Sequence, residues 1–426
     1  MTLPRIRRHS TVSPHMTTTH PQHHASKQIE NAVRDVLIVG AGIAGCAVAI
    51  ALASRGVRVR LIEKQSVWRF QSSGIFVYGN GLQAFRELGV MNEVLDAGFS
   101  VTGGRNVYMD HQGQHIVDVH YPSPAAGVPP ILGVKRADMH RVLAARLSGL
   151  GLQAQLDTQL LSLESQANGV QAALSDGSTQ HFDLVIGADG IRSQMRKWVA
   201  GEVAPRYTGL GVWRSVHARP VGLTDKIMMM GVGKRLGIMP ISHDRLYLFG
   251  TVAEPAGAHY ERSQWPDLMR ERFAEFGDPA RQFLRQLGAQ AEVIYTAVEE
   301  MALPLPWHAG RVLLVGDAAH ASTPFMGQGG AMAVQDAVVL GKLLDQGLDT
   351  DSLLERFGNL RHPMCRFVQE ASRKVGEAGA LETTGSCAQR DRILREHAQE
   401  RVDHFYAELE RLGAPEVHLI SSPLEN

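Results

Sequence analysis

Three groups of residues have the types and spacing from which a binding site for a phosphorylated ligand can be built. Gly40, Gly42 and Gly45 follow the apolar run Val36–Val39 in a G-x-G-x-x-G pattern. Gly40 lets the chain turn off a strand, Gly42 leaves room for a pyrophosphate, and Gly45 allows a helix to pack closely. Ile43 and Ala44 would open that helix, whose unpaired N–H groups meet phosphate oxygens. A second strand is expected over Val57–Ile62, ending in Glu63, with Lys64 next. The Glu63 carboxylate is then placed to accept hydrogen bonds from a ribose, with Lys64 beside it.

The second group is Asp189-Gly190 within "GADGIRSQMRK", where a buried strand breaks at Gly187. The third is Asp317 within "GRVLLVGDAAHASTPFMGQGGAMAVQDA", followed by Pro324 and by Gly327, Gly329 and Gly330 at a second helix start. An acid at the carboxyl end of a parallel strand faces the ligand crevice, and a helix N-terminus carries partial positive charge. Glu63 and Asp317 could thus hold two separate polyols joined by a pyrophosphate. That description fits FAD, bound without a covalent link because no Cys or His lies in a flavinylation context.

The elements that must position these groups alternate between strand and helix. The stretch Val36–Ala53 contains 18 consecutive uncharged residues, the lower limit for a membrane span. Its glycines, and the strand that follows the helix, argue for a nucleotide-binding unit with no membrane span. A helix is expected over 134–151. From Tyr207 to Val252 the pattern changes to alternating strands separated by turn residues, an antiparallel sheet inserted into an α/β framework. The run Met228–Met230 suits either an apolar pocket or ordinary core. Near the C-terminus, Leu394, Ala398, Val402, Phe405, Leu409 and Leu412 step by three and four along one helix side. That side either packs on the same chain or forms a dimer seam, so both monomer and homodimer remain open.

In this order, the motifs resemble those of the single-component FAD-dependent aromatic hydroxylases with the para-hydroxybenzoate hydroxylase fold. The resemblance runs from about Asp35 to about Glu377. It implies a Rossmann-like FAD domain, discontinuous over 35–377, with a substrate-binding sheet inserted at approximately 205–300 and a helical segment at 378–426. It implies that Arg136, in "VKRADMHRVL", contacts FAD, that Asp317 holds the ribitol, and that Pro324 sits beside the flavin. Asp189 would serve both FAD and NAD(P)H. The implied reaction is reduction of FAD by NADH or NADPH, capture of O₂ as a C4a-hydroperoxide, and oxygen transfer to an aromatic or heteroaromatic small molecule. Among residues on the inserted strands, Arg214 is the first candidate to hold an anionic substrate, with His217, Arg235 and Tyr247 behind it. Strand alternation places Arg214 and His217 on opposite faces. A reductase, an antibiotic-inactivating hydroxylase or a flavin redox sensor are the alternatives. The segment Ser72-Ser73-Gly74-Ile75 departs from the family's usual G-x-G-I turn.

Composition narrows the remaining classes. Lys+Arg and Asp+Glu each number 43, for a net charge of zero and no basic stripe, which speaks against nucleic acid as a partner. The three cysteines are widely separated, so neither a disulfide framework nor a Cys-x-x-Cys metal site is expected, as in a cytoplasmic protein. His320, next to the Asp317 motif, is read either as flavin-facing or as packing. Residues 1–34 contain Arg5, Arg7 and Arg8 and no acid before Glu30, and are read as a disordered leader without an apolar signal core. An organelle-targeting role and an alternative start at Met16 stay open.

Overall fold

A computed structural model describes residues 33–68 and 73–418, so nearly all of the leader lies outside the described residues. The strand Asp35–Val39 pairs in parallel with Arg58–Ile62 on one side and Leu184–Gly187 on the other. Leu184–Gly187 in turn pairs in parallel with Val312–Leu314, and the two-residue strand His308–Ala309 closes the edge antiparallel. The result is a five-stranded sheet. Its register sets Val39 beside Gly187, and Gly187 beside Leu314. Three carboxyl ends are therefore level, and each runs into one of the three motifs.

The helix Ile43–Ala53 leaves this sheet through Gly40, at φ +103°, which only glycine adopts easily. A Cβ on Gly45 would lie 1.8 Å from the Gly40 carbonyl oxygen, so no side chain fits there. Small residues along this helix let it pack on the helix Gly329–Leu344. Helix formation near 134–151 begins at Arg136, not Val134, because Val134 and Lys135 finish the strand Ile131–Lys135. That strand pairs with Gly74–Tyr78 and Gly98–Val101.

The second large sheet has seven strands, ordered Val293–Glu300, Arg206–Ala218, Arg245–Ala253, Lys234–Pro240, Lys226–Met230, Arg105–Asp110 and His115–His120. It includes the expected antiparallel strands and also takes in two strands from residues 105–120, joined through the parallel pairing of Lys226–Met230 with Asn106–Asp110. One face carries Trp213, Met229, Leu236 and Leu248, packed on Phe273, Phe276 and Phe283. The opposite face turns toward the five-stranded sheet. A helix spanning Thr350–Gly379, begun by an Asp349 cap on the Ser352 amide, and another spanning Thr384–His418 complete the fold. Phe405 and Leu409 of the last helix are buried in the main core, so its apolar side packs on the same chain. Cys46, Cys365 and Cys387 are all free and buried. Among the described residues no helix is long and apolar enough to cross a membrane.

A buried charge network secures the third motif. Asp336 accepts hydrogen bonds from the Gly316 amide (2.8 Å), His320 Nε2 (2.7 Å) and Arg361 Nε (2.8 Å). His320 is therefore a packing residue bound to Asp336. Although His320, Asp336 and Cys365 cluster closely, the Asp336 oxygens are already taken by these three donors. Burial pushes the Asp336 carboxyl up, but His320 and Arg361 outweigh this and hold it down to about 2. Replacing Asp336 by Asn should cost about 3–5 kcal/mol in denaturant unfolding, because Arg361 is left buried without its counter-charge. The carboxylate's contribution should be complete above about pH 4 and fade as pH falls through about 2. An Asp336→Asn protein with an unchanged unfolding midpoint would show that this network contributes nothing to stability.

Candidate functional site

The three level strand ends open into a cavity of about 450 Å³, closed on its far side by the inner face of the seven-stranded sheet. From the first motif, Gly42, Ile43 and Ala44 line it. A Cβ at Gly42 would meet nothing within 4 Å, so the free end of the helix looks into open space. Gly40 and Gly45 do not line the cavity. They allow close backbone packing behind it, with a Cβ at Gly40 lying 2.6 Å from the Ala188 oxygen.

Glu63 accepts the amides of Ala41 (3.0 Å) and Gln65 (3.0 Å), fixing the turn after the first strand. Lys64 beside it is exposed, and like Glu63 it does not line the cavity. Its position two residues past the end of Arg58–Ile62 leaves it in solvent. The carbonyl of Ala41 takes a hydrogen bond from His140 Nε2 at 2.8 Å, and Cys46 Sγ lies 3.3 Å away. Burial lowers the His140 pKa, so a neutral imidazole donates here. Sequence reasoning passed over His140, although it lies one helical turn after Arg136 and so shares its face.

Asp189 spends one oxygen on the amides of Gln194 (2.7 Å) and Met195 (3.1 Å). Its other oxygen is buried and lacks a partner among the described residues. Ala188 and Gly190 reach the cavity on either side of it. From the third motif come Asp317, Pro324, Gly327, Gly329 and Gly330. Arg136 also lines the cavity; burial lowers its pKa, and Asp317 acts against that shift.

The sheet contributes a row of polar groups between aromatic walls. Arg214 Nε donates to the Tyr247 hydroxyl at 3.1 Å, and its Nη1 donates to Thr296 Oγ1. Burial raises the Tyr247 pKa while Arg214 opposes the rise. Arg235, on the neighbouring strand, is buried with its guanidinium 4.7 Å above the Phe325 ring and a 3.4 Å contact to Thr251. Phe76, Phe249 and Phe325 form the apolar walls. His217 does not belong to the site. It lies on the opposite face, 2.8 Å from Ser215 Oγ and 5.5 Å from the Phe283 ring, as strand alternation from Arg214 requires. Met228–Met230 do not line the cavity either: Met229 joins the core behind the sheet, while Met228 and Met230 pack beside Tyr247 and Phe249.

Open space at Gly42, the orphan oxygen of Asp189 and a second glycine-rich helix start together fit an extended ligand carrying phosphate and hydroxyl groups. Comparison with known proteins agrees. A family model described as an FAD binding domain matches residues 34–372. The chain is 30% identical to the aurachin C monooxygenase/isomerase of Stigmatella aurantiaca, covering 86% of this chain and 95% of that protein. It is 32% identical to the 2-heptyl-3-hydroxy-4(1H)-quinolone synthase of Pseudomonas aeruginosa strain PAO1, covering 84% and 93%. Klebsiella pneumoniae HpxO, solved with FAD and uric acid, superposes with a TM-score of 0.77 at 26% identity, over 92% of this chain and 98% of that one. The chain belongs to the FAD-dependent monooxygenases, in the family of aromatic hydroxylases with the para-hydroxybenzoate hydroxylase fold.

Proposed function

We propose that the protein hydroxylates an electron-rich aromatic or heteroaromatic small molecule held between the inner sheet face and the glycine-rich strand ends. In outline, NAD(P)H, O₂, a proton and the ring compound give NAD(P)⁺, water and the hydroxylated ring. The observation that carries this reading is the single cavity shared by all three motifs and the Arg214–Tyr247 pair. Bound there, FAD supplies the hydride acceptor and the centre at which oxygen is activated.

The residues divide the remaining work. The helix starts at Gly42–Ala44 and Gly329–Gly330 direct N–H groups and partial positive charge at the phosphates and ring system. Glu63 has lone pairs left for ribose hydroxyls, and Asp317 takes those of the ribitol. Asp189 presents its unpaired oxygen near the same ligand and its nicotinamide partner. Arg136 balances phosphate charge. Pro324 stiffens the loop beside the ring. Because Tyr247 accepts a hydrogen bond from Arg214, its own O–H is free to point at an oxygen of the substrate. The adjacent guanidinium then favours the anionic form of that oxygen, which raises electron density in the ring.

Purified protein should be yellow, and added ring compounds should accelerate NAD(P)H and O₂ consumption with one oxygen atom gained by the product. NAD(P)H oxidation that no ring compound accelerates, with no oxygenated product, would overturn the reading.

Asp317→Ala should yield soluble but colourless protein. Two lost charge-assisted bonds at about 1.5–3 kcal/mol each would weaken FAD affinity by roughly several hundredfold. Full FAD occupancy in this variant would remove Asp317 from the cofactor site. Arg214→Met should keep FAD, yet lose at least about thirtyfold in coupled hydroxylation, as expected when one partner of a buried charged pair is truncated. Lys at this position should rescue only in part, since it lacks the planar fork. Near wild-type hydroxylation by Arg214→Met would shift the anion-holding role to Arg235.

A further inference from the structure

The polar row on the inner sheet face does not end at the cavity. Phe76 forms the cavity wall, and Lys226 lies behind it, buried, with Nζ 4.6 Å from the Phe76 ring centre. The same ammonium sits over the rings of Tyr78 (5.4 Å) and Tyr121 (5.5 Å) and donates to the Tyr78 hydroxyl at 2.9 Å. Directly across the strand pair is Asn106, fully buried, whose Oδ1 and Nδ2 both lack a hydrogen-bond partner among the described residues. The hydroxyls of Tyr108 and Tyr121 neighbour this amide and interact with it. The buried Tyr406 hydroxyl, brought in by the last helix, is also unpartnered among the described residues, and its ring is 5.9 Å from that of Tyr121.

The charge around these side chains is unbalanced. Neither Lys226 nor Arg235 has a carboxylate within ion-pair distance among the described residues; their polar contacts are Tyr78 for the one and Thr251 for the other. Two buried cations without a carboxylate partner, beside a buried amide whose hydrogen-bonding capacity is not filled, are costly unless a ligand completes them. We propose that the cluster of Lys226, Asn106, Tyr121 and Tyr406 is a subsite for a carboxylate carried by the substrate on an arm that passes the edge of Phe76. This rests on the ring-hydroxylase reading, which places the ring itself in the cavity.

The donors match a planar monoanion. One carboxylate oxygen can take the ammonium and the other the Asn106 amide, while the aromatic rings flank its plane. A phosphate dianion would leave charge unmatched, because the one further cation, Arg235, faces the cavity. Burial already draws the Lys226 ammonium down to about 7, with Arg235 acting the same way, and an incoming carboxylate would restore its charge.

The test uses the FAD-loaded protein and three probes, phenylbutyrate, phenylhexanoate and phenyloctanoate, each paired with its primary amide. Binding is read from the perturbation of flavin absorbance. At least one acid should bind about tenfold or more tighter than its amide, the gain from a charge-assisted pair. Lys226→Met should erase that preference, leaving affinity for the amide unchanged, and Lys226→Arg should keep part of it. Asn106→Asp, which fills the subsite with a carboxylate of the chain's own, should also erase it. This second variant decides the matter should Lys226→Met fail to fold. Equal binding of every acid and amide by the wild-type protein, or an acid preference that survives both Lys226→Met and Asn106→Asp, would overturn the proposal. The ring-hydroxylase reading is judged separately, by oxygen incorporation during NAD(P)H oxidation.

Discussion

Everything in this fold that bears on ligand binding depends on how closely three strand ends approach one another. Val39, Gly187 and Leu314 stand level, and the backbone beyond them packs without room for side chains. At Gly45 a methyl group would overlap the Gly40 carbonyl, and at Gly187 it would run into Met195 and Leu314. This tight packing forces the three motifs to share one cavity. It also explains why the helix Ile43–Ala53 is built from small residues: a bulkier helix would hold its N-terminus away from the crevice.

The seven-stranded sheet answers this arrangement by giving its two faces different work. Trp213, Met229, Leu236 and Leu248 bury one face against helices, which makes the sheet rigid. The inner face can then carry arginines, a tyrosine and threonines at fixed positions. Arg136, Arg214 and Arg235 give the cavity an excess of positive charge over its one lining acid, Asp317. An anionic cofactor offsets that excess, so cofactor and cavity are electrostatically complementary.

Much of this was legible in the sequence because the motifs are local. Gly40, Asp189 and Asp317 each follow a short apolar strand, and spacing alone identifies them. Arg214 could be placed on the opposite face from His217 by counting residues. Other features depend on pairings between distant segments, and no local pattern announces them. The two strands from residues 105–120 join the seven-stranded sheet through the pairing of Asn106–Asp110 with Lys226–Met230. Asp336 reads as an ordinary helix acid until Arg361 and His320 are brought against it.

The interlacing of the two sheets also has a bearing on how the chain reaches its native state. Strand Lys226–Met230 must find Asn106–Asp110 across more than a hundred intervening residues, and of the five-stranded sheet Leu184–Gly187 alone lies within that interval. Closing so long a loop is entropically slow, and pairings of high sequence separation form late. The parallel sheet is no more local, because Val312–Leu314 must join Leu184–Gly187 with five strands of the seven-stranded sheet between them in the chain. Protein emerging from synthesis therefore exposes the strands of the seven-stranded sheet before Val312–Leu314 and the helix Gly329–Leu344 exist, and the crevice is the last part of the site to close.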